Sequence, residues 1–124
     1  MGLDTYAYSL PGSFCIRKAR KHIFTEQDPF CYWRKAYILH HLLTELYTER
    51  TGKDLYNEEL LQLSLEDLEL IKNNVLNIED VYETFHPMSY HLYTVDNLAK
   101  DLHFIEQSKA FITQGQNVYI ISSW

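Results

Sequence analysis

Hydrophobic and polar positions change their period several times along the chain, and each change predicts an element. Leu3 to Tyr8 alternates large and small residues among β-formers, which predicts a strand. Pro11-Gly12 follows as a turn, and a second short strand is expected near His22-Ile23-Phe24. Asp28-Pro29 has the form of a helix N-cap with proline at the first helical position. That helix is expected to run to about Arg50, with Gly52 as its C-terminal stop. Placed at 100° per residue, Leu39, Leu42, Leu43 and Leu46 form one stripe. Trp33, Tyr37, His40, Thr44 and Tyr47 form a second stripe roughly 130° away.

The second half is punctuated in the same way. Tyr56 to Leu63 fits either a strand or a helical turn, and Ser64 then caps a helix that ends near Leu76, with Glu66 and Asp67 in its first turn. The segment 77–93, interrupted by Pro87, carries no clear period. Thr94 caps a third helix with Leu98, Leu102, Ile105 and Ile112 as its core stripe and Gly115 as its stop. The run Val118 to Trp124 is a strand so apolar that it must pair and be buried, most simply beside the N-terminal strand. The expected fold is α+β. A small antiparallel sheet joins the N- and C-terminal strands, about three helices pack on one face, and residues 1–124 make a single domain.

Composition narrows the function classes. A formal charge of -6 argues against a nucleic-acid binder that works through the phosphate backbone, where each contact asks for a Lys or Arg. The basic cluster Arg17, Lys18, Arg20, Lys21 and His22 reads as a solvated loop. The acidic stretch from Glu58 through Glu69 reads as a solvated face, or else as a patch for a basic partner. Ten tyrosines supply large, half-buried surfaces with polar tips, which suit cores and contact surfaces alike. Cys15 and Cys31 lack the close pairing of zinc ligands and are expected to be buried free thiols, so no metal and no cofactor are expected. No stretch reaches the ~18 apolar residues of a membrane span, no leader is recognised before Gly2, and Tyr6 stands where a myristoylation signal needs Ser or Thr. A cytoplasmic protein is expected.

Three separated stretches carry a resemblance. The opening Met1-Gly2-Leu3-Asp4-Thr5-Tyr6-Ala7-Tyr8 resembles the MGLDMYLY start of a family of small, uncharacterised phage and bacterial proteins. Tyr32-Trp33-Arg34-Lys35-Ala36, with His40 after it, resembles that family's YWRKANAIHKWF stretch, and Ser122-Ser123-Trp124 resembles its terminus. The chain departs from the pattern at Tyr37, at Leu42-Leu43 and in the Phe85 to Tyr90 segment. The resemblance implies a phage-related setting, but no reaction.

If the first and last strands are neighbours and the aromatic stripe of the first long helix packs on them, Asp4, Trp33, Arg34, His40 and Trp124 converge. Such a set suits a planar anionic, nucleotide-like ligand, with Arg on phosphate and Trp on a base. The plainer reading has both tryptophans in the core and Asp4 paired with Arg34 or Lys35. There is no Gly-rich phosphate loop, HExxH or nucleophile elbow, and no residue is assigned a catalytic role. The expected function is that of a non-enzymatic binding protein that engages and inhibits a host protein or defence system. A small-ligand binder is the alternative, and an enzyme using His40 and Asp4 the second alternative.

Overall fold

The computed structural model describes residues 2–25, 27–55, 57–78 and 93–124. Most of the irregular segment 77–93 therefore lies outside the described residues. The elements are β1 (Asp4–Pro11), α1 (Ile16–Thr25), β2 (Cys31–Arg34), α2 (Tyr37–Thr51), β3 (Leu61–Leu63), α3 (Leu65–Leu76), α4 (Val95–Thr113) and β4 (Gln116–Ser123). The four strands form one antiparallel sheet in the order β2-β1-β4-β3. The N- and C-terminal strands are adjacent as expected, in register from Asp4↔Ser123 to Pro11↔Gln116. The fold is α+β.

Side-chain alternation divides the sheet into two covered faces. One face presents Ala7, Trp33, Leu61, Leu63, Val118 and Ile120 to the leucine stripe of α2 and to Leu68, Ile71, Val75, Phe104 and Ile105 of α3 and α4. The other presents Tyr8, Leu10, Tyr119 and Ile121 to Ala19 and Ile23 of α1. Central β4 is buried from both sides, which is why it reads as a continuous apolar run rather than an alternating one.

Five sequence expectations are corrected here. The basic cluster is not a loop, and no strand forms at 22–24: both fall on α1, which is held at its start by Ala19 N–H donating to the Cys15 carbonyl at 2.9 Å. Only Ala19 and Ile23 of α1 are buried, so its apolar signal is weak, yet the sheet's second face needs a cover. Among the described residues the helices therefore flank the sheet, three on one face and α1 on the other. The helix expected from Asp28 begins only at Tyr37. Cys31 to Arg34 instead pairs with β1, and Lys35, in the left-handed region at φ 57°, breaks the chain between strand and helix. The thiols are free as expected but not both buried: Cys15 is exposed and Cys31 half-buried. The acidic stretch is no uniform solvated face, because Glu59 pairs with Arg20 at 3.2 Å and Asp67 is buried in a cap.

Unlike the cap expected at Asp28, those read at Ser64, Thr94 and Gly52 form. Ser64 and Asp67 make a reciprocal capping box on α3, and Thr94 and Asn97 make another on α4. Gly52 closes α2 in the left-handed conformation, its N–H on the Thr48 carbonyl at 2.7 Å.

Candidate functional site

Pairing of β2 with β1 puts Thr5 opposite Trp33, so Trp33 points into the three-helix face and is buried there. Its indole stands edge-on to Phe104 at 4.8 Å between ring centres. Phe30 also stacks on Phe104, at 5.9 Å between ring centres. This aromatic packing sets the rotation of α4. The buried residues on α4 are Asp101, Phe104, Ile105 and Ser108. Leu98, Leu102 and Ile112, expected in the core stripe, are only half-buried. The buried stripe is turned roughly 60° from the purely apolar one at 100° per residue.

That rotation brings a carboxylate inside. Asp101 is 2% exposed. Trp33 Nε1–H donates to its Oδ1 at 2.9 Å, and the Tyr93 hydroxyl donates to Oδ2. Burial pushes the Asp101 carboxyl above its usual range, against the opposing influence of the Tyr93 and Trp33 hydrogen bonds and the Lys100 charge. The Lys100 ammonium itself donates to the Tyr32 carbonyl and lies 5.7 Å from the centre of the Trp33 ring.

Asp101 is also open to a cleft of about 160 Å³, formed where β2 ends, α2 begins and α4 passes. Trp33, Ala36, Tyr37, Tyr93 and Asn97 line it with Asp101, and Lys35 stands at its exposed rim. A buried ionisable group with a displaced pKa, two fixed neutral donors and aromatic walls is a physically motivated candidate site. A broader groove of about 500 Å³ between α2 and α3, floored by Leu42, Leu46 and Leu70, has no comparable buried polar group among its lining residues.

The five residues singled out in the sequence are not brought together. Only Trp33 lines the cleft. Asp4 and Arg34 face each other across β1 and β2, one position out of phase with Trp33, and so lie on the α1 face of the sheet. There the Asp4 carboxylate accepts the Tyr32 hydroxyl at 2.6 Å, a bond that raises the Tyr32 pKa, and Arg34 is exposed. His40 and Trp124 form a third location, their rings edge-on at 4.8 Å. Asn57 clamps the Trp124 backbone through N–H···Oδ1 at 2.8 Å and Nδ2–H···O at 3.0 Å. Burial and the neighbouring His41 hold the His40 pKa below its ordinary value, so it is neutral at pH 7, and its buried Nδ1 has no hydrogen-bond partner among the described residues. Trp124, expected in the core on the plainer reading, is 40% exposed. The Ser122 hydroxyl is buried against that of Thr5 at 3.0 Å and is a core bond.

Asp101, Tyr93 and Asn97 were missed by sequence reasoning. The available signal was the i, i+3, i+4, i+7 spacing of Asp101, Phe104, Ile105 and Ser108, which places an acid within a helical stripe. Among the described residues, no group of three or more His, Cys, Asp or Glu is placed to hold a metal ion, and no helix is long and apolar enough to cross a membrane. Comparison with protein-family models, curated proteins and solved structures finds no match.

Proposed function

We propose that this chain is a non-enzymatic binding protein whose recognition site is the Trp33–Asp101 cleft. The observation that carries the reading is Asp101: a carboxylate kept buried against its solvation preference, bonded by two neutral donors and open to a cleft. Tyr32 to Ala36, the stretch that carries the family resemblance, supplies three of the lining residues, Trp33, Lys35 and Ala36. In the phage-related setting that the resemblance implies, the partner is a host protein, and the chain acts by occupying its surface. The size of the cleft favours a second reading, a free small ligand taken whole, because about 160 Å³ admits only one side chain or a molecule of similar bulk.

The test is affinity capture of tagged protein from bacterial lysate, with the eluate divided for protein and small-molecule mass spectrometry. Tyr37 is 56% exposed in the cleft wall, so Tyr37→Ala trims the site without opening the core. A partner or metabolite retained by the wild type and lost, by about tenfold or more, from Tyr37→Ala and Asp101→Asn supports the proposal. Equal recovery from all three proteins places recognition elsewhere.

A further inference from the structure

We infer that the cleft takes a compact organic cation, an ammonium or guanidinium group seated against Asp101 with its carbon portion among Trp33, Tyr37 and Tyr93. This rests on the cleft being the binding site and specifies what enters it.

Three observations lead there. First, among the described residues both groups that bond Asp101 are neutral, an indole N–H and a phenol O–H. A carboxylate offers about four lone-pair positions, so accepting capacity remains on a charge that burial has made costly. The Lys100 ammonium is bonded to the Tyr32 carbonyl instead. Lys100 acts on Asp101 through its charge from a distance, so an incoming cation adds a directly bonded opposite charge where low polarity makes it count most. Second, three aromatic residues line the space beside that carboxylate, and the negative faces of such rings attract cations. Third, the volume is close to the ~150 Å³ of a dry cavity that holds benzene. That admits a charged head with a few carbons and excludes a nucleotide, whose phosphates would also meet Asp101 with like charge. Lys35, exposed at the rim, can keep its own ammonium in water and meet a carbonyl or carboxylate on the ligand's outer end.

Nuclear magnetic resonance of the full chain reads this directly, because its two tryptophans give two indole N–H signals, one in the cleft and one at Trp124. The probes are methylguanidinium, tetramethylammonium, neutral tert-butanol and acetate, each titrated at pH 7.5. The cations are expected to shift the Trp33 indole signal and leave that of Trp124 in place. Asp101→Asn, which retains an oxygen to accept from Trp33, should weaken both cations about tenfold or more. Tyr37→Ala should weaken tetramethylammonium while leaving the rest of the spectrum native, so that a fold defect in one variant does not decide the matter. Binding should also strengthen as pH rises and Asp101 ionises. If tert-butanol binds as well as the cations and Asp101→Asn changes nothing, the cation assignment is overturned although the cleft still binds. If no probe of any charge moves the Trp33 signal, the cleft reading falls as well. Comparing a blocked arginine within an acetylated peptide with a free alkylguanidine identifies the source: equal binding of the peptide assigns the cation to a partner's side chain, and binding of the free alkylguanidine alone assigns it to a metabolite.

Discussion

Asp101 is a residue whose proposed role opposes the stability of the fold. Its folded pKa is raised above the unfolded value, chiefly by burial. Below the ordinary carboxylate value of 3.8 the group is protonated in both states and costs nothing, whereas stability is lost as pH rises through the raised folded pKa. Asp101→Asn removes that ionisation while keeping an acceptor for Trp33 Nε1–H. The variant should therefore melt at or above the wild type at pH 7, by up to several degrees, with the difference closing as pH falls toward 4. Thermal melts across that range check it, and a variant that melts far below the wild type at pH 7 would mean that the charge itself supports the fold. The residue types at the expected site were legible as chemistry, but not their directions. Asp4 and Arg34 differ from Trp33 by one strand position, and one position on a strand reverses the face.

At the scale of elements, legibility followed the range of the interactions. The starts of α3 and α4 were readable because Ser64–Asp67 and Thr94–Asn97 bond within four consecutive residues. β2 and α1 were not. β2 exists through its pairing with β1, about thirty positions away in sequence, and α1 through the second sheet face that it covers. The outer strands are guarded by cations: Lys100 bonds the Tyr32 carbonyl on β2, and Arg50 bonds the Gln62 carbonyl on β3 at 2.8 Å, occupying groups that could recruit another strand. The turns at the far ends of β1 and β4 meet where Gly12 N–H donates to the Gly115 carbonyl at 3.0 Å. A Cβ at position 12 would lie 2.3 Å from that oxygen. Since backbone must move to relieve the clash, Gly12→Ala should cost about 1–3 kcal/mol, lowering the melting temperature by several degrees. Unchanged melting would show that the two turns separate freely.

For the whole molecule, a loss of stability in acid is expected from how α2 packs. Burial holds the folded pKa of His40 below its ordinary 6.5. Above 6.5 the imidazole is neutral in both states. Between 6.5 and the lowered folded value the unfolded chain takes up the proton first, so stability falls as pH falls through that window. Urea denaturation at pH 7.5 and 5.0 should show the loss, and His40→Phe, apolar and of similar breadth, should reduce it. A variant with the same slope would assign the acid sensitivity to other groups.

By itself, the sequence determined the α+β class, the pairing of the terminal strands, the leucine stripe of α2 and the capped starts of α3 and α4. Each of these follows from local bonding or from an apolar run that had to be buried. Only the tertiary structure decided that Cys31 to Arg34 is a strand, that a basic helix covers the second face, and that α4 turns Asp101 inward beside Trp33. These outcomes depend on competition among distant side chains for one core: Phe104 reaches Phe30 and Trp33 only in the rotation that also carries Asp101 inside.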